Sequence, residues 1–404
     1  MSGKLRIWEK KTMCALLYPL RLLPLRQNRV LLNNGLSHNY SDSPKAVAEY
    51  LTTHYPGKLE LFFAVDRKAD TALLQKQGIR AVRFRSLRYF LIAMTASVFL
   101  TNNGGYSYLP LRKSQLVIDT WHGGGAYKKC GIDAYPDKRE GRRELDLAAR
   151  KTGIFLSSSR VTTEILSKAM CMPKSVFWET GLPRNDLLIH GNDALRKTVR
   201  QRLGLTSDER LVLYAPSFRR KNGDSRNKAV GIEYNLDCGA LCAALERRFG
   251  GCWRAAIRLH PGLRSRMIQS TDALNVTNYE DMQELLLATD VLVTDISSSV
   301  WDFLLMKKPC FLYAPDLGTG FEKADTYLPV REWPFSCADS NEKLCENIRL
   351  FDNAAYLRAC EAHYEALGGC ERGKAAELVG ERIYQWSKTE KTAFGPKKRI
   401  VNGH

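Results

Sequence analysis

The chain contains no CxxC pair and no DxD triplet. The first absence removes the usual zinc ribbon and the thioredoxin-type redox site. The second removes the commonest acidic metal motif of sugar-nucleotide transferases, so no metal is expected. No apolar run is long and unbroken enough to cross a bilayer, which takes about 20 residues. Eleven cysteines are scattered, the closest pair being Cys238 and Cys242. An odd set without a framework reads as reduced thiols of a cytosolic protein. Acidic residues are also short, 43 against 61 lysines and arginines, for a net charge of +18. That balance favours an anionic partner: nucleic acid, a phosphorylated substrate or a lipid surface. A nucleic-acid binder would interleave basic and aromatic residues on one face. No such stretch occurs, so no nucleic-acid partner is expected. Oligomeric state is left open, a homo-oligomer being possible.

What is present suits two domains, since 404 residues exceed one compact core. Residues 1–27 read as a basic amphipathic segment that associates with an anionic membrane surface. Within it, WEKKTMCALLYPLRLLPLR mixes Trp8 and leucines with Lys10, Lys11, Arg21 and Arg26. The alternative is a first helix packed on the domain. Residues 28–205 and 206–385 read as two α/β domains, and 386–404 as a basic tail. In the first, short apolar runs such as RVLLNN, LELFFAV, SVFLTNN and QLVIDTW alternate with helical patterns. One helix is expected after Ser43, which can cap it, with Pro44 in its first turn. In the second, RLVLYAPSF, WRAAIRLH, DVLVTDIS and PCFLYAP repeat the arrangement. Near-continuous apolar strands joined by helices give parallel sheets covered on both faces. The fold class is therefore α/β, two Rossmann-like domains facing a cleft.

Ligands of such sheets bind beyond the carboxyl ends of the strands. WHGGG sits at one end: His122 suits a general base at neutral pH, and Gly123, Gly124 and Gly125 admit a ligand's close approach. Asn34 ends another strand of the same half. TDISSSVWD ends a strand at Asp295 and offers Ser297 and Ser298 where a helix begins, a place suited to phosphate. Its plain reading is a capping box of Ser299 and Asp302. IRLHPG sets Arg258 and His260 just before a proline that halts the strand. GLPRND presents Arg184 and Asn185 at a turn, and YAPSFR presents Ser217 and Arg219 after a strand. Both suit anion contact, and both also suit solvated loops.

Together these segments, in this order, resemble the CDP-glycerol glycerophosphotransferase family, the teichoic-acid primases and polymerases. NRVLLNNGLSHNYSDSPKAVAEYL, DTWHGGGAYKKCGID, FLSSSRVTTEIL, ETGLPRNDLL, LYAPSFR, IRLHP and TDISSSVWDFLLMKKPCFLYAPD carry the likeness. The resemblance implies a glycosyltransferase-B fold and a peripheral enzyme on the inner face of the membrane. It also implies CDP-glycerol or a related CDP-alditol as donor, a lipid-linked glycan as acceptor, and no cofactor. His122 then serves as base and His260 assists at the phosphate. Arg184, Asn185, Ser217, Arg219, Arg258, Asp295, Ser297 and Ser298 hold the donor; Asn34 and Gly123 to Gly125 form the acceptor and phosphate loop. A CDP-ribitol or sugar-nucleotide transferase of the same fold is the alternative.

Overall fold

The computed structural model describes residues 7–125, 128–134, 138–217, 219–220, 229–230, 235–259, 272–316 and 326–389. The first sheet is formed by β1 Arg26–Asn33, β2 Glu60–Val65, β3 Arg80–Arg83, β4 Ala96–Thr101, β5 Leu116–Asp119, β6 Ile154–Ser157 and β7 Phe177–Glu179. Every pairing is parallel, and the order is β3-β2-β1-β4-β5-β6-β7. The strands are apolar on both sides because helices cover both faces: Val30, Leu31 and Leu32 are all fully buried.

The second sheet joins β8 Glu209–Tyr214, β11 Cys252–Ile257, β12 Ala273–Asn275, β13 Val291–Thr294, β14 Cys310–Tyr313 and β15 Cys337–Ala338. Its order, β12-β11-β8-β13-β14-β15, is again parallel throughout. A two-stranded antiparallel ribbon, β9 Arg219–Arg220 with β10 Ala229–Val230, stands apart from it. In each sheet the chain starts in the middle, adds strands outward on one side, then crosses to the other. That reversal leaves a crevice between β1 and β4 in the first sheet and between β8 and β13 in the second.

Two features of the chain order are resolved only by packing. The helix Ala375–Lys388 follows the second sheet in sequence but buries Val379 and Ile383 in the core of the first. Its Trp386 indole donates to the Ser97 carbonyl at 3.2 Å. A boundary at residue 385 therefore falls inside a helix that completes the first domain. At the other end, the N-terminal segment forms the helix Ile7–Leu17 and a 3-10 turn, Tyr18–Leu22, before β1 starts at Arg26. Leu17 is buried and Met13 and Leu20 pack beside it, while Trp8, Leu16, Tyr18 and Leu22 stay exposed, Leu22 at 89%. The segment thus packs one face on the domain and leaves an apolar face outward. Among the described residues no helix is long and apolar enough to cross a membrane.

Candidate active site

His122 stands just beyond the end of β5, and its orientation is set by the neighbouring strand. Its Nδ1 lies 2.9 Å from the Asn102 carbonyl, beyond the end of β4. A carbonyl oxygen only accepts, so Nδ1 carries the proton and Nε2 keeps its lone pair. Burial pushes the imidazole below its ordinary value, opposed by the Asn102 contact and by Asp42, and helped by Arg184. The ring is therefore neutral at physiological pH, with a basic nitrogen free to accept.

Asn102 is itself held. Its amide donates to Asn34 Oδ1 at 3.1 Å, and its own Oδ1 accepts from the Gly35 amide at 2.9 Å. Asn34 Nδ2 donates to Asn39 Oδ1 and Ser41 Oγ, at 3.0 and 2.9 Å. Asn34, expected in the acceptor loop, is thus buried and fully engaged; it steadies Asn102, which steadies His122. On the other side Asp119 Oδ1 accepts from the Trp121 amide at 3.0 Å. Burial pushes this carboxyl up to about 7. Trp121 takes a φ of +56°, a left-handed conformation that costs a side-chain-bearing residue about 1–2 kcal/mol.

The glycines lie against the opposite domain. A Cβ on Gly124 would overlap the Trp301 ring, and one on Gly123 would meet Ser298 Oγ at 3.3 Å. Their missing side chains admit the second domain. Gly124 O also accepts from Ser158 Oγ at 3.2 Å. Gly125 is half-buried beside them. The loop beyond is fastened across the cleft. Lys128 Nζ donates to Ser217 Oγ at 2.7 Å, and Tyr327 Oη to Asp133 Oδ2 at 2.9 Å.

Facing this loop is the turn after β13. Asp295 is buried and accepts from the Ser217 amide and hydroxyl, both at 3.0 Å, joining the ends of β8 and β13. It thereby shapes the crevice. Ser299 Oγ turns to Ser297 Oγ at 3.0 Å, and Asp302 turns to Arg184, so the expected capping box does not form. Ser298, at the start of the helix Ser299–Leu304, makes no side-chain cap bond.

The remaining candidates divide. Arg184 is buried between Asp42 and Asp302, and Asn185 donates to Glu371 Oε1 at 2.9 Å. Arg258 reaches the Tyr279 carbonyl at 3.1 Å and the sulfur of Met282. Arg219 has its backbone in β9. His260 lies outside the described residues; the described chain after β11 reaches Leu259. Asp42, Asn102, Asp302 and Glu371 carry the site's framework without being singled out by motif. Asp302 carried a local signal as the partner of Ser299, and Asn102 as a polar residue at the end of the run SVFLTNN. Among the described residues no cluster of histidine, cysteine or carboxylate side chains forms a metal site.

Residues 16–385 of the chain match one family, CDP-glycerol:poly(glycerophosphate) glycerophosphotransferase. The chain belongs to that family. It is 27% identical over 372 residues to the teichoic acid glycerol-phosphate transferase of Staphylococcus aureus, covering 89% of this chain and 93% of that one. It is equally identical to a teichoic acid poly(glycerol phosphate) polymerase of Bacillus spizizenii, over 90% and 93% of the two chains. Among solved structures, a variant of the wall teichoic acid polymerase TagF soaked with CDPG superposes at a TM-score of 0.80. It has 24% identity and covers 95% of both chains, and it supports the two-domain glycosyltransferase-B fold.

Proposed function

We propose that this chain transfers glycerol phosphate from CDP-glycerol to a hydroxyl of a membrane-linked polyol-phosphate or glycan acceptor, releasing CMP. The observation that carries the reading is the contact between Gly123, next to His122, and Ser298 of the opposite domain. It sets a neutral base and the serine turn of Ser297 and Ser298 on two walls of one crevice. In the reaction the acceptor oxygen attacks the phosphorus that bears glycerol. A new P–O bond forms, the bond to the CMP oxygen breaks, and His122 Nε2 takes the hydroxyl proton. Ser297 and Ser298 donate to the diphosphate, and His260 is assigned to the leaving side. Positioning and charge stabilisation supply most of the rate in such transfers.

The exposed apolar residues of the N-terminal segment, with Lys11 and Arg21 beside them, support attachment to the inner face of an anionic membrane. The test is thermal unfolding of the pure protein with CDP-glycerol, CDP-ribitol, CMP and UDP-N-acetylglucosamine. Saturation at a hundred times the dissociation constant adds about 2.7 kcal/mol. Stabilisation led by CDP-glycerol is expected. Leadership by CDP-ribitol moves the reading to ribitol phosphate, and a response to the uridine nucleotide alone overturns it.

A further inference from the structure

We infer that Arg184 is a positioning residue: one ion bridge, to Asp42 on one domain and Asp302 on the other, holds the His122 loop at its working distance from the serine turn. The inference rests on the transfer reading above.

The two terminal nitrogens of Arg184 serve different domains. Nη1 donates to Asp42 Oδ2 at 3.0 Å and Nη2 to Asp302 Oδ2 at 2.6 Å. Side-chain exposures of 7% for Arg184, 14% for Asp42 and 2% for Asp302 keep water from screening the bridge. Asp42 opens the helix Asp42–His54, whose Ser43, read from sequence as the cap, lies inside the first turn and accepts from the Arg184 amide at 3.4 Å. Asp302 lies in the helix that follows Ser298, and its carboxylate abuts Gly124. The bridge therefore ties the first domain to the same helix that carries Ser298 at its start and abuts the His122 loop at Gly124.

Supporting contacts fix the hub. Gln283 Nε2 donates to Asp302 Oδ2 at 3.0 Å and to Asn185 Oδ1 at 3.3 Å. Glu371 accepts from Asn185 Nδ2 and from the Leu182 amide. Two carboxylates flanking Arg184 repel a diphosphate from it, so its charge is spent on the interface. A planar fork can hold both acids at once; an ammonium is a single point charge.

The experiment uses the full chain and CDP-glycerol, with CMP release, donor affinity and small-angle scattering as readouts. Arg184→Met is expected to keep donor affinity and enlarge the ligand-free radius of gyration. Its kcat should fall about a hundredfold, the scale of an ångström's misplacement. Because Arg184 and Asp42 are the charged groups that act on His122, the acid limb of its pH profile moves to higher pH. Arg184→Lys should hold that limb in place and recover only part of kcat. Asp302→Asn, nearly isosteric, should lower kcat with donor affinity intact and covers the case in which Arg184→Met does not fold. Loss of CDP-glycerol binding in Arg184→Met with an unmoved acid limb would make Arg184 a donor ligand and end the inference. So would full kcat in Asp302→Asn. Failure of the wild-type chain to bind CDP-glycerol sinks the transfer reading instead, and scattering still judges the bridge.

Discussion

His122 derives its chemistry from a single carbonyl. With Nδ1 committed to Asn102 at 2.9 Å, only Nε2 is left to take a proton. His122→Ala should lower turnover at least about a hundredfold with CDP-glycerol affinity unchanged, read by CMP release and calorimetry. Because burial depresses the imidazole, its base form persists below the ordinary value of 6.5. The acid limb of kcat against pH should therefore lie below pH 6.5. A limb above that value would contradict the assigned environment. Glu371 shows the opposite shift. Burial, with Asp302 and Asp186 nearby, pushes it from 4.5 up to about 8, against the hydrogen bonds from Asn185 and Leu182. A raised carboxyl stabilises the fold below its unfolded value, and that stability drains away as pH rises through the folded one. Urea midpoints should accordingly fall between pH 4.5 and about 8, and Glu371→Gln should flatten that decline. The motif WHGGG made His122 legible in the sequence. Glu371 had no local signal, because its partners Leu182 and Asn185 are 189 and 186 residues away.

Elements explain what single residues do not. The strands were readable because parallel sheets buried on both faces need runs such as LELFFAV and QLVIDTW. In the fold these runs became Glu60–Val65 and Leu116–Asp119. The two-residue strand Cys337–Ala338 was missed, being too short to show a period. The helix Ala375–Lys388 falls largely in the stretch read as the second domain, yet packs on the first. Its fully buried Ile383 belongs to a core whose members outside this helix lie between Val30 and Leu182. Ile383→Ala should cost about 2–5 kcal/mol, lowering the urea midpoint of the first domain. The loop glycines obey the same logic: Gly124→Ala forces a methyl into the Trp301 ring and should lower the unfolding temperature or loosen the interface. An unchanged melting curve would show that the loop and the helix Ser299–Leu304 can part freely.

At the scale of the molecule, two sheets of the same winding put their crevices opposite each other, and cross-cleft contacts fasten them. Lys45 pairs with Asp281 and Glu284 at 2.8 and 2.6 Å, and Arg184 with Asp302 deeper in. Removing one partner of a buried pair strands the other charge, at a cost of about 3–5 kcal/mol. The whole chain, at +18, should also sediment with vesicles rich in anionic lipid and be released by salt. Trp8→Glu with Leu22→Glu should weaken that binding without moving the melting temperature, since both side chains are exposed. Equal binding to neutral vesicles would argue against the electrostatic part.

The sequence by itself determined the α/β class, the strand positions, the histidine loop and the serine turn. Each depends on local spacing: apolar runs, a proline, a glycine cluster, a charge at a strand end. Only the tertiary structure decided what those residues touch. It set Gly123 and Gly124 against the second domain, made Asp295 a tie between strands, and made Arg184 a bridge. Partners in these contacts lie about eighty to nearly two hundred positions apart, and no local pattern encodes which of many buried carboxylates a given arginine meets.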